Sequence, residues 1–249
     1  MIKSCYIDGC VFERDDFPEG LYVYQTIMTF GHEALHIGAY LALLAEASQE
    51  LLYRPLPIDE AGVATLISDF LRKNGYPAAM PAYVELRYYR SGEVVLLGGE
   101  VSPYPKLGLR LLMPTGVDVC YDLPLSESRS SLRRAVVEAA QMEAESRGAR
   151  VSVRVDGNGF LRSADDAELF VIKEYTVMTS MPPVSVEGRL LAEAIRRAGL
   201  RLEVVPVALD EAENADEIFY ADHRGITALG SFNERPMMHI LAEKIAAYF

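Results

Sequence analysis

Residues 148–180 read GARVSVRVDGNGFLRSADDAELFVIKEYTVMTS. Val151, Val153 and Val155 alternate with polar residues, which is the period of a strand. Asp156-Gly157-Asn158-Gly159 follows, and an Asx-Gly pair supplies the positive φ of a tight turn. Leu169–Ile172 is a short apolar run, and Tyr175–Met178 continues after the charged pair Lys173-Glu174. The stretch predicts three successive strands. Amphipathic segments flank it on both sides, which makes it the floor of the larger half of the chain.

Working upstream, Leu132–Arg147 has helical periodicity and follows a polar loop, Ser126–Ser131. Downstream, Pro182-Pro183 is a break, Val186–Ala198 a helix ended by Gly199, and Arg201–Val207 a strand. Strands Glu217–Tyr220 and Ile226–Leu229 flank a turn at Asp222–Gly225, and Pro236–Phe249 closes the chain as a helix. The first part predicts strands at Lys3–Ile7 and Leu21–Thr29, then helices at His36–Leu52 and Ile58–Lys73. Asp59 and Glu60 suit the positive start of the second helix, and Asn74-Gly75 its end. A hairpin, Ala82–Tyr89 with Glu93–Leu97, turns at Arg90-Ser91-Gly92. Gly98-Gly99 and the Pro-containing Val101–Pro105 break the pattern, so the linker is placed at 103–106. The expectation is an α+β protein, with a small domain at 1–102 and a larger β-rich domain at 107–249 that opens on a strand, Leu107–Met113.

The chain has 249 residues, half of them apolar, and a formal net charge of -12. That acidity disfavours nucleic acid and anionic membranes as partners. Arg129, Arg133 and Arg134 form a basic group whose helical spacing reads as a solvated face. No run of about 18 apolar residues marks a membrane span, and the N-terminus lacks a secretory apolar core. Cys5, Cys10 and Cys120 are odd in number and without metal-ligand spacing, so a reduced, cytoplasmic setting is expected. His32 and His36 stand four apart, but no third ligand accompanies them and they read as structural. Phosphate-binding glycine loops, a Gly-x-Ser-x-Gly elbow and CxxC are all absent.

The order of these features resembles the class IV pyridoxal-phosphate aminotransferases, among them branched-chain and D-amino-acid aminotransferases and aminodeoxychorismate lyase. Tyr24-Gln25-Thr26 stands where that family has Phe-Glu-Thr, and His36 matches its His-x-x-Arg-Leu with Ala39 at the Arg. Residues Gly148–Val171 follow its Gly-acid…Gly-x-x-x-Glu-x-x-x-x-Asn-x-Phe run, Thr179 its Thr-Pro, and Ala215–Ile226 its acid-Glu-x-Phe segment. The resemblance covers nearly the whole chain. It implies a two-domain fold type IV architecture, a small α/β sandwich beside a larger β-barrel-like domain with flanking helices. It also implies a homodimer, pyridoxal phosphate, and amino-acid transferase or lyase chemistry.

Carried over residue by residue, the resemblance puts the Schiff-base lysine within Arg129-Ser130-Ser131, with Ser130 at the expected position. The acid that protonates the cofactor ring falls on Ser163 and the family's Asn on Glu168. The phosphate-cradling helix start falls on Ser185 and Val186, with Glu187 and Gly188 after them, and the late Thr turn on His223-Arg224. Tyr24 and Arg87 are the expected substrate contacts. The five lysines are Lys3, Lys73, Lys106, Lys173 and Lys244, so none occupies the 129–131 loop. Arginine stays protonated and is a poor nucleophile. The expectation is therefore a divergent member with weak or no transaminase activity, keeping a cleft for a small anionic molecule. The alternatives are an active aminotransferase or lyase, using a lysine from elsewhere such as Lys106 or Lys173 or a cofactor bound as a pre-formed imine, and a non-catalytic dimeric scaffold.

Overall fold

The computed structural model describes residues 5–7, 10–12, 18–102, 113–121 and 128–249, the first two stretches as backbone only. The chain divides into two compact units: Met1–Lys106 with Leu125–Arg133, and Leu107–Pro124 with Arg134–Phe249. The expected linker 103–106 and most of the expected strand 107–113 lie outside the described residues.

The first unit contains β1 (Cys5–Ile7), β2 (Cys10–Phe12), β3 (Tyr22–Phe30), β4 (Glu33–Ala34), α1 (Ile37–Ala47), α2 (Glu60–Lys73), β5 (Pro81–Tyr89) and β6 (Val94–Val101). The strands form one antiparallel sheet in the order β2-β1-β6-β5-β3-β4. The predicted helix His36–Leu52 is shorter than expected. His36 takes a left-handed conformation (φ 53°) before α1, and Ser48–Leu52 is a π-helical turn ended by left-handed Tyr53. The two expected helix-start histidines thus do separate jobs. The His32 Nε2–H donates to the Tyr76 carbonyl at 2.9 Å, which fixes its tautomer. Helix α2 starts two residues later than expected, at Glu60, because Asp59 is its N-cap and accepts from Gly62 N at 2.7 Å.

Gly98 and Gly99 do not end the hairpin; both lie inside β6, which runs to Val101. A Cβ on Gly98 would stand 2.4 Å from the Tyr76 hydroxyl and 3.1 Å from the Phe70 ring. One on Gly99 would lie 1.9 Å from the Tyr83 ring. The glycines are there because aromatic rings close on the strand from both faces, one of the ordinary uses of glycine in a sheet.

The second unit contains β7 (Thr115–Cys120), α3 (Ser131–Ser146, its first turn grouped with the first unit), β8 (Val151–Val155), β9 (Leu161–Ala164), β10 (Ala167–Lys173), β11 (Thr176–Thr179), α4 (Val186–Arg197), β12 (Arg201–Val204), α5 (Leu209–Glu213), β13 (Glu217–Asp222), β14 (Gly225–Ala228), β15 (Ser231–Phe232), β16 (Arg235–Pro236) and α6 (Ile240–Ala246). The floor is four strands, not three, because Leu161–Ala164 pairs with both β8 and β10. The missed turn is Asp165-Asp166, where Asp165 takes φ 47° without a glycine; Asp is one of the few side chains that tolerate this conformation. Strand β7 and helix α5 were also not anticipated.

β10 is central and buried on both faces, as its continuous apolar run requires. Leu169 and Val171 join Val153, Ile218, Tyr220 and Phe232 in one core cluster. Phe170 and Ile172 turn the other way, against Leu191 and Ile195 of α4, Phe219 of β13 and Ile245 of α6. Each such fully buried side chain contributes roughly 1.5–3 kcal/mol. The strand that carries Glu168 is thereby fixed from two sides. Among the described residues no helix is long and apolar enough to cross a membrane.

Candidate functional site

The sheet of the first unit assembles three of the expected residues. Tyr24 on β3 is the direct cross-strand partner of Arg87 on β5, with Tyr22 opposite Tyr89 beside them. Residues 22 and 24 therefore share a face with 85, 87 and 89. Arg87 is already engaged there. Its Nε donates to Glu85 Oε1 at 2.5 Å, its Nη1 lies 3.4 Å from the Tyr89 hydroxyl, and its guanidinium stacks 4.7 Å over the Tyr22 ring. Burial acts on the Arg87 pKa first and lowers it, but Glu85 and Tyr89 outweigh it and the net shift is upward. The partner Glu85, two residues along the same strand, was not picked out from the sequence.

Ser130 lies against the same strand. It pairs with Val23 as an isolated bridge, Tyr24 N donates to the Arg129 carbonyl at 3.0 Å, and Arg129 Nη1 reaches Gln25 Oε1 at 3.4 Å. Ser130 is fully buried, and its hydroxyl accepts from Arg133 N at 3.4 Å, so it caps the start of α3.

In the second unit the remaining residues gather on β9, β10, β13 and the start of α4. Ser163 and Glu168 are cross-strand partners through the Asp165-Asp166 turn. Ser163 is 3% exposed, and its hydroxyl accepts from Nε of Arg154 at 3.3 Å; Arg154 is itself only 3% exposed. Alternation along β8 would put Arg154 in solvent, so its burial is not legible from the strand's own pattern.

Glu168 sits at the first turn of α4. Its Oε1 accepts from Val184 N and Ser185 N, both at 2.9 Å, and its Oε2 accepts from the Ser185 hydroxyl at 2.9 Å. The same hydroxyl accepts from Gly188 N at 2.9 Å as N-cap of the helix. Val186 is buried as the first helical residue.

His223-Arg224 forms the turn between β13 and β14, next to Ala221, the cross-strand partner of Glu168. Arg224 folds back on Asp222, donating from its backbone N at 2.8 Å and from Nε at 2.9 Å. Burial pushes the Asp222 carboxyl up, but His223 and Arg224 pull harder and leave it below its usual value. Asp165 is the opposite case: burial raises its pKa and hydrogen bonds from Ser152 only partly offset this.

This arrangement of strands and helices is that of the class IV aminotransferases. A branched-chain aminotransferase of the archaeon Thermoproteus uzoniensis, solved with norvaline, superposes with a TM-score of 0.82 over 99% of this chain and 93% of its own, at 14% identity. An aminotransferase of Brucella abortus, solved with pyridoxal phosphate, gives 0.82 over 100% and 98% at 16% identity. A fold IV transaminase of Curtobacterium pusillum gives 0.74 over 91% and 85% at 20% identity. At these identities the likeness is one of fold. No family model matches the chain, and no curated protein does.

At the positions that the resemblance assigns to the cofactor, the described residues do not offer the groups expected to hold it. The 128–131 loop offers hydroxyls and an arginine instead of an amine. Of the lysines, Lys173 lies at the β10 end with Nζ 3.4 Å from the Asn214 carbonyl, Lys73 ends α2 and Lys244 is on α6. Lys3 and Lys106 fall outside the described residues. Where a carboxylate would keep a pyridine nitrogen protonated, Ser163 carries a buried guanidinium beside it, which repels a second positive charge. The helix start assigned to phosphate already holds a carboxylate.

Proposed function

We propose that this chain keeps the fold of the class IV aminotransferases without their Schiff-base chemistry, and acts as a non-catalytic module, homodimeric as the resemblance implies. The observation that carries this is the missing nucleophile. Residues 129–131 are Arg-Ser-Ser, and no lysine occurs between Lys106 and Lys173. A serine hydroxyl cannot form the imine, and a guanidinium stays protonated at neutral pH. Without an enzyme amine, transimination loses its route and turnover falls by orders of magnitude.

A scaffold is favoured over a small-anion receptor by the state of the arginines. Arg87 faces Glu85 and Arg224 faces Asp222, so these two arginines are each answered from within their own unit. An incoming carboxylate would have to displace an intramolecular one that has no translational freedom to lose.

The test is incubation with pyridoxal phosphate, borohydride reduction and peptide mass spectrometry, alongside a transamination assay with branched-chain amino acids. The expected result is no phosphopyridoxyl-lysine and no turnover. A stoichiometric adduct on any of the five lysines, with turnover, overturns the proposal.

A further inference from the structure

We infer that Glu168 is a built-in anion that closes the start of α4 to phosphate, so the chain excludes phosphorylated ligands there by filling the position itself. This deepens the proposal above and rests on it, but it concerns a different part of the chain and a different chemistry.

The start of a helix gathers unsatisfied backbone N–H groups and the positive end of the dipole, and it attracts anions. At α4 a carboxylate from another strand already sits there: it takes the N–H of the cap residue Ser185 and of Val184 before it, while Gly188 N goes to the Ser185 hydroxyl. Two consecutive backbone donors, Val184 N and Ser185 N, converge on one oxygen of Glu168, and the Ser185 hydroxyl holds the other. The three contacts are all 2.9 Å, the geometry of good charge-assisted bonds. A phosphate brought to the same donors would meet a negative charge already in place and would have to evict it.

Gly188 is the independent sign that the helix has been shaped around this carboxylate. A Cβ there would lie 1.5 Å from Glu168 Oε2 and 2.6 Å from its carboxyl carbon. Glycine is the poorest helix former after proline, and Gly188 does not need a positive φ, since its conformation is helical. What it supplies is room. Glu217 does the capping half of this at α6, where its two oxygens accept from Leu241 N and Ala242 N at 2.8 Å. No glycine stands in α6, so there the carboxylate caps the helix without such clearance.

The experiment titrates inorganic phosphate into the full chain and into Glu168→Ala, by calorimetry and by thermal denaturation. Wild type is expected to show neither binding heat nor a rise in melting temperature at millimolar phosphate. Glu168→Ala is expected to bind phosphate at least about tenfold more tightly, because three donors are vacated and a like charge is removed. In parallel, Gly188→Ala is made in both backgrounds. It should lower the melting temperature markedly in wild type and far less beside Glu168→Ala, which reads the carboxylate's position even if the single variant is too unstable to titrate. Phosphate binding by wild type at comparable affinity, a folded Glu168→Ala that binds none, or an equal effect of Gly188→Ala in both backgrounds would each overturn the inference. Inorganic phosphate has no aldehyde, so a borohydride-trapped lysine would refute the proposed function without touching this result.

Discussion

Replacing Glu217 should be among the most damaging single changes on the sheet of the second unit. The residue opens β13, is 2% exposed, and divides its carboxylate between Leu241 N and Ala242 N, each at 2.8 Å. Hydrogen bonds to a charged acceptor are worth about 1.5–3 kcal/mol each, and a buried donor left unpaired costs its full desolvation. Glu217→Ala removes both acceptors and strands the N–H of Ala242, which is buried, so the loss should come to about 3–5 kcal/mol. That is a large part of the roughly 5–15 kcal/mol by which domains are stable. Glu217→Gln keeps one acceptor but turns an amide N–H₂ toward the other donor, and should cost about half as much. The damage should start at α6, whose Ala242 and Ile245 would lose their anchor against Phe219 and Leu191. Urea denaturation gives the total, and native-state hydrogen exchange of the 241–246 amides locates it. Unchanged denaturation midpoints for Glu217→Gln, or full protection of α6 in Glu217→Ala, would refute this account of how the helix is held.

Two further outcomes follow from single residues. Asp165→Asn should stabilise the protein at pH 7 by a few tenths to about 1 kcal/mol, because Asn tolerates the φ of 47° and keeps the oxygen bonded to Ser152 N. The folded pKa of Asp165 is raised, so holding the ionised form is a cost above that pKa. The cost fades as pH falls to the unfolded value near about 3.9, so the variant's advantage in melting temperature should vanish there. Gly99→Ala should destabilise by about 1–3 kcal/mol through overpacking against the Tyr83 ring, and Tyr83→Ala in the same chain should relieve much of that penalty; additive losses in a double-mutant cycle would count against it.

Much of the architecture was legible because apolar period and turn chemistry agree along most of the chain. The helix Glu60–Lys73 announces its start by the acidic pair Asp59-Glu60, and the Val151–Val155 strand its alternation. What escaped depended on partners distant in sequence. Gly98 and Gly99 signal a break until Phe70, Tyr76 and Tyr83 are seen closing on them. Asp165-Asp166 makes a hairpin turn without glycine. Arg154 occupies an outward position by alternation and is buried because Ser163 faces it. Glu168 stands just ahead of the apolar run Leu169–Ile172 in the sequence, but its role could not be read there, since the donors it satisfies belong to a segment some sixteen residues on. Gly188 was the available signal: a glycine early in a helix with no turn to make.

The first unit is finished by residues that arrive late. β3 is bounded on one edge by β5; on the other, β4 covers Thr29 and Phe30, and at the opposite end Val23 pairs with Ser130 while Tyr24 N donates to the Arg129 carbonyl. During synthesis the strands up to Val101 emerge well before that closing segment, so an edge of the sheet stays open until residue 133 has left the ribosome. An open edge is a template for pairing with another chain. For the same reason a fragment ending at Ser102 would leave that edge without its cover. Obtaining this unit alone therefore calls for splicing residues 125–133 onto it, not cutting at an apparent boundary.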